Sequence, residues 1–424
     1  MPDDGGGAVT SGLRWAVAQF TSQLWFRVTL FAAAAVLTAI AAVLITPLVP
    51  EWITESVGED STWNILSILA SSMLVVATFS LGTMVQAFAA AASQATPRAA
   101  RVLIDDPFSQ NVLATFLGAF VFAMVGLVAL GFGYYSLEGK TVLLVAAGVV
   151  IIVVIATFFA WLDHLANMVR LGETVRKIEV RAARVLRARA EAPRLGGVAP
   201  GPDDRNVHLL NALDTLYVLH VDMQALQRVA EAAGGRIVVD CLPGALAGPT
   251  RPLVRTDWLP DEEQAAELRG AFRFGIERSL DQDPRFCLQI LAEIGSRALS
   301  PGVNDPGTAI GILAVQQRLL TLWAEAATDA AAPSLNRVAA EAVSASDLFE
   351  DAFAPMLRDG AGMVEVGLRL QKALAALAAL PMPGFAAQAQ HVSALALAHA
   401  EVALAIEPDR RRLAEAAARI GGGR

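Results

Sequence analysis

Between residues 273 and 305 the chain concentrates side chains that could move protons or hold charge: Arg278, Asp281, Asp283, Glu293, Arg297 and Asp305. Paired carboxylates can perform general acid–base chemistry. Their spacing here matches no catalytic motif, and ion pairs or helix caps explain them with less. Within this region RALSPGVNDPGTA (297–309) reads as a helix, a tight turn and a second helix. Pro301 disfavours continuation of the first helix and Gly302 can take a positive φ. Asp283-Pro284 and Asp305-Pro306 are each a capping carboxylate followed by proline at the first helical position, where the missing N–H costs nothing. The exposed N–H groups of the second helix allow a functional overlay, an anion or partner site built from Arg278, Arg297, Asn304, Asp305 and Thr308. Capping and turn formation are the simpler account. No catalytic residue is assigned, and no enzymatic activity is expected.

Other chemistry is sparse. Cys241 and Cys287 have neither a CxxC partner nor a His at ligand spacing, so no disulfide framework, metal site or other cofactor is expected. No Gly-rich nucleotide loop, HExxH or GxSxG follows the hydrophobic N-terminal part. A net charge of −8 gives no reason to expect nucleic acid.

A different kind of pattern runs through residues 63–93. At about 100° per residue, Ser67, Ser71, Thr78, Gly82, Gln86 and Ser93 fall on one side of an otherwise apolar helix. Small and hydroxylated residues there serve either close helix packing or the lining of a water-filled path. Ser67, Ser71, Thr78, Gln86 and Ser93 are therefore candidate pore-lining residues. The ionisable pair Asp163 and His164 follows the last apolar run and is a candidate gate; solvation at a helix end is the plainer reading.

The elements that carry these residues divide sharply. Four apolar runs, Val28 to Thr46, Trp63 to Ala91, Val112 to Phe132 and Val142 to Leu162, each reach the length of a membrane span and contain no charge. The first is too long and starts too late for a cleavable signal peptide. Glu51, Glu55, Glu59 and Asp60 lie in the first loop, whereas Arg98 and Arg101 lie in the second. Arg170, Arg176, Lys177, Arg181, Arg184, Arg187 and Arg189 follow the fourth span. By the positive-inside rule both termini are cytoplasmic.

The reading is thus a mainly α integral membrane protein. It comprises a cytoplasmic N-terminal segment (1–27), a four-helix transmembrane domain (28–162), a basic juxtamembrane helix (163–192), a linker (193–206), a small β-rich cytoplasmic unit (207–282) and a cytoplasmic helical domain (283–424). In the β-rich unit, LYVLHVD (216–222) and RIVVD (236–240) read as strands around a helix closed by Gly234 and Gly235, and Phe272 to Ile276 as a further strand. Amphipathic helices are expected near 333–357, 361–380, 384–405 and 408–419.

FGIERSLDQDPRFCLQILAEIGSRALSPGVNDPGTA (274–309) and ASQATPRAARVLIDDPFSQNVLATFLGAFVFAM (92–124) closely resemble the predicted membrane proteins called domain of unknown function 2254. The likeness runs from the first span to the helices near residue 380. It implies a shared membrane location and fold, with a middle region resembling a small β barrel, but no activity. The chain departs from the family pattern at Thr215-Leu216-Tyr217 and Pro243-Gly244-Ala245.

Two functions follow as expectations. The first is an oligomeric ion channel or passive transport protein, lined by the second span and regulated by the cytoplasmic domain. The second is a membrane-anchored sensor or scaffold whose cytoplasmic domain binds a ligand or protein partner. Both place the chain in the bacterial inner membrane, as a homo-oligomer in contact with the bilayer and with anionic lipids at the basic juxtamembrane helix.

Overall fold

In the computed structural model the described residues are 61–94, 96–99, 107–132, 137–168, 171–201 and 208–420, with scattered positions between 26 and 41. The expected first span, Val28 to Thr46, therefore falls largely outside the described residues. The chain divides into two compact units, one ending at Glu173 and the other comprising Thr174 onward together with residues 95–99.

Among the described residues the first unit contains three helices long and apolar enough to cross a membrane: α1 (Ser61–Gln94), α2 (Pro107–Gly131) and α3 (Leu137–Met168). Each packs against the other two. Leu66, Met73, Phe116, Phe122, Leu143 and Trp161 are buried between them. Their outer faces expose Ile68, Val75, Phe79, Val145, Ile152 and Phe159. A water-soluble protein rarely presents so continuous an apolar surface. Helices leave no backbone hydrogen bonds open to hydrocarbon, so this surface suits lipid.

The second unit begins with α4 (Leu171–Glu191), whose buried stripe Thr174, Ile178, Ala182 and Leu186 repeats every four residues. Its outer positions are tied by Glu179 to Arg318 at 2.7 Å and by Arg181 to Asp281 at 2.8 Å. Then come β1 (Gly197–Val198), β2 (His208–Asn211), β3 (Leu216–Val221), α5 (Met223–Ala233), β4 (Ile237–Val239), β5 (Leu246–Ala247), β6 (Pro252–Thr256), α6 (Glu262–Gly270) and β7 (Phe272–Gly275). Asp222 caps α5 by accepting from Ala225 N, and Gly234 closes it in the left-handed region at φ 68°.

The remaining elements are α7 (Pro284–Ala298), α8 (Pro306–Thr328), β8 (Leu335–Ala340), α9 (Ala345–Asp359), α10 (Val364–Ala378), α11 (Phe385–Ala403) and α12 (Glu407–Ala418). The start signals read from sequence act as expected. Asp283 accepts from Phe286 N and Asp305 from Thr308 N, each with proline next.

Residues 335–340 depart from the helix expected there. They form β8, which pairs in parallel with both β1 and β4 in a five-stranded sheet of order β1-β8-β4-β6-β2. Val338, Ala339 and Ala340 are buried in the sheet, and β pairing overrides the helical preference of alanine. A second, three-stranded sheet has the order β5-β3-β7. The stretch 193–206, expected to be a linker, carries β1, and α6 has no counterpart among the elements expected from sequence. One core covers both sheets and includes Val338 and Ala340, so the strand-rich and helical parts form one unit.

In the helical part Phe349 is fully buried, with ring centroids 5.7 Å from Phe353 and 5.1 Å from Phe385. Phe349→Ala should destabilise this unit by about 3–5 kcal/mol through the cavity it leaves. The check is a thermal melt of the purified protein in detergent; superimposable curves for variant and wild type would contradict it.

Candidate functional site

Where α7 begins, its capping residue does more than cap. Asp283 is 2% exposed. Its Oδ1 accepts from Phe286 N at 3.0 Å, and its Oδ2 accepts from Arg278 Nε at 2.8 Å and lies 2.6 Å from Arg278 Nη2. The Arg278 guanidinium sits 4.7 Å above the Phe286 ring, and its Nη1 donates to Gln289 Oε1 at 2.6 Å. Gln289 then donates to Asp351, which also accepts from Arg285 Nε at 2.6 Å, and Arg285 reaches Asp347 at 2.8 Å. These side chains come from the β7–α7 connection, α7 and α9.

The turn between β4 and β5 closes over this network through Gly244, at φ 92°. A Cβ there would lie 2.2 Å from Asp283 Oδ2. Both the backbone conformation and the approach of the carboxylate require glycine.

Gly244, Arg278, Asp283, Arg285, Gln289 and Asp347 line a cleft of about 430 Å³ together with Arg189, Asp240, Arg251 and Glu341. A volume in the range of about 300–1,000 Å³ suits a small molecule. Arg189 is the unusual member. It is 4% exposed, and neither its Nε nor its Nη1 has a hydrogen-bond partner. Burial pushes its pKa down to about 10, against the charge of nearby Asp283, which raises it. A shift from 12.5 to about 10 corresponds to a cost of about 3 kcal/mol for the buried cation. Arg194 and Arg369 each have one buried nitrogen, Nε, without a partner, and neither lines the cleft.

Burial also pushes the Asp283 carboxyl above its ordinary value of 3.8, with Arg278 pulling the other way. Among the described residues no cluster of His, Cys, Asp and Glu could hold a metal ion. Cys241 and Cys287 are separate buried thiols.

The residues singled out from sequence fall in several places. Arg278 is in the cleft. Arg297, Asn304, Asp305 and Thr308 lie toward the far end of α7, whose 15 residues span about 22 Å. Asp305 accepts from both Thr308 N, at 3.0 Å, and Thr308 Oγ1, at 2.6 Å, so it serves its own helix; Asn304 makes the left-handed turn at φ 51°. Structure thus gathers only Arg278 of the five into the cleft.

On α1, Ser67, Ser71, Thr78 and Gln86 are exposed. Ser71 donates to Ser67 O at 2.9 Å and Thr78 to Leu74 O, so both hydroxyls are satisfied by their own helix. A Cβ at Gly82 would touch nothing within 4 Å. The side chain of Ser93 lies outside what the structure describes. Asp163 and His164 lie near the end of α3, the His164 ring 4.5 Å from Phe108.

In the sequence Arg189 is one of a basic run between residues 170 and 189. Its position carried a signal, because it falls three residues after Leu186 on the stripe of Ile178 and Ala182. A charged residue in phase with a buried stripe is a candidate for burial.

A family model described as predicted membrane protein (DUF2254) matches residues 21–376. The chain belongs to this family. The DUF2254 match includes α1, α2, α3 and every residue named in the cleft. Two uncharacterized proteins, from Mycobacterium bovis and Mycobacterium tuberculosis, are each 26% identical over 263 residues, covering 59% of this chain and 50% of theirs. The chain spans about half the length of the curated relatives it matches. No solved structure matches.

The raised pKa of Asp283 fixes a sign. A carboxyl whose folded pKa exceeds its unfolded value contributes stability that is present below the unfolded pKa and lost as pH rises through the folded one. Asp283→Asn keeps a capping oxygen and removes this titration. The melting temperature of the wild type relative to that of Asp283→Asn should therefore fall as pH is raised from below 3.8. A difference that rises over that range would reverse the assignment.

Proposed function

We propose that this DUF2254 chain is a membrane-anchored sensor whose second unit binds a small polar ligand in the Asp283 cleft. One observation carries the reading: a buried guanidinium with two unpartnered nitrogens lines a cleft of metabolite size. Such a group destabilises a folded protein unless something pairs with it, and sites that do so are typically functional. The apolar helices supply anchorage and assembly into a homo-oligomer.

The oligomeric channel is the second reading, favoured by the exposed side of α1, where Ser67, Ser71, Thr78 and Gln86 could face a shared axis. Against it, the bonds of Ser71 and Thr78 to their own backbone remove the need for water or a partner. The four-span topology, with Val28 to Thr46 as the first, belongs to either reading. So do a cytoplasmic second unit and anionic lipid at the basic part of α4, both inferred from the arginine-rich segment 170–189.

Two measurements bear on this. With a panel of small polar metabolites, at least one should slow hydrogen exchange in residues 240–245 and 282–289 of the purified protein; exchange unchanged by the whole panel would defeat the sensor. Currents across planar bilayers that change with Ser71→Leu or Thr78→Leu would favour the channel instead.

Topology has its own test. Both native cysteines are buried, so an exposed Ser346→Cys should react with a membrane-impermeant maleimide only after bacterial cells are broken. Labelling in intact cells would put the second unit outside.

A further inference from the structure

Two guanidiniums share one carboxylate at the floor of the cleft. Asp283 commits Oδ2 to the fork of Arg278 and Oδ1 to the start of α7. Arg189 feels its charge without bonding to it. At the other end of the same network the ratio is inverted, one guanidinium, Arg285, serving both Asp347 and Asp351. Acidic and basic groups are matched in number across these six residues, but they are not matched locally. The positive surplus lies with Arg189.

We propose that the cleft takes a small metabolite bearing an oxyanion, a carboxylate or a phosphate, and that Arg189 receives it. This rests on the ligand-binding reading above and narrows it to a chemical class. A guanidinium whose Nε and Nη1 lack partners keeps both hydrogen-bond donors and a full charge to offer a carboxylate or phosphate oxygen. A metal cation beside Arg189 would meet a like charge. Water could satisfy these donors, but it would leave the charge of the guanidinium without a counter-ion.

The depressed pKa of Arg189 predicts an unusual phenotype. For a base whose folded pKa lies below its unfolded value, stability is fully present above the unfolded pKa and lost as pH falls through the folded one, here about 10. At neutral pH the empty protein carries that loss in full, so removal of the charge is stabilising. Ligand-free Arg189→Met should melt several degrees above wild type.

The experiment uses the full chain in detergent at neutral pH and constant ionic strength, followed by tryptophan fluorescence. The probes are inorganic phosphate, acetate and succinate, with glucose as a neutral and putrescine as a cationic comparison. At least one oxyanion should raise the wild-type melting temperature saturably. Phosphate or the carboxylates will be the stronger, which separates the two sources. Arg189→Met should abolish the shift, and Arg189→Lys should retain a reduced one. Stabilisation by glucose or putrescine but by no oxyanion overturns the chemical class and leaves the sensor standing. No shift with any oxyanion overturns the proposal, while protection of the cleft in hydrogen exchange by another metabolite would still uphold the sensor. A ligand-free Arg189→Met that melts below wild type makes Arg189 a structural cation and also overturns it.

Discussion

The Asp283 carboxylate joins parts of the second unit that are far apart in sequence. One oxygen ends the backbone of α7 correctly and the other fixes Arg278. Because that oxygen occupies the space where a side chain at residue 244 would project, it also dictates glycine in the turn after β4. Through Arg278 and Gln289 the same carboxylate is connected to Asp351 on α9. A buried ion pair is poor evidence of stability on its own, since desolvation offsets attraction. Its value here is geometric: strand-rich and helical parts are held in one arrangement around a cleft.

Local signals were legible in the sequence wherever the chemistry is local. Asp283-Pro284 and Asp305-Pro306 start helices because a carboxylate and a proline suit those positions whatever packs nearby. Gly234 ends α5 for an equally local reason. LYVLHVD and RIVVD have the β-branched and apolar content of strands. LNRVAA does not: only Val338 favours extension, and β8 exists because β1 and β4 flank it. The helix α6 is short and mostly exposed, with a single buried residue, Leu268, so no apolar stripe announced it; its signal was the capping box of Asp261 and Gln264.

The site was less legible than the fold. Arg278 was identified among the polar groups of 273–305, but its partners Gln289 and Asp351 come from amphipathic helices whose polar positions usually face water. Arg189 belongs to a run of seven bases, six of which gave no hint that the remaining one was enclosed. Phase along the helix distinguishes it, and only when compared with the neighbours that bury Ile178, Ala182 and Leu186. On α1 the pattern was visible and its meaning was not, since a hydroxyl that returns to its own backbone occupies the same sequence position as one that faces a pore.

The parallel insertion of β8 has a consequence for the order in which the chain matures. Of the strands in the larger sheet, four are made by residue 256, but the strand that stands between β1 and β4 ends at Ala340. Until it emerges, β1 has no neighbour and β4 shows an unpaired edge on one side. Helices α7 and α8 are synthesised in the interval and can form from local contacts, whereas closing the sheet requires a distant segment to return, a step that slows folding. On the ribosome this half of the protein therefore matures late, with an adhesive edge open to chaperones or to a neighbouring nascent chain.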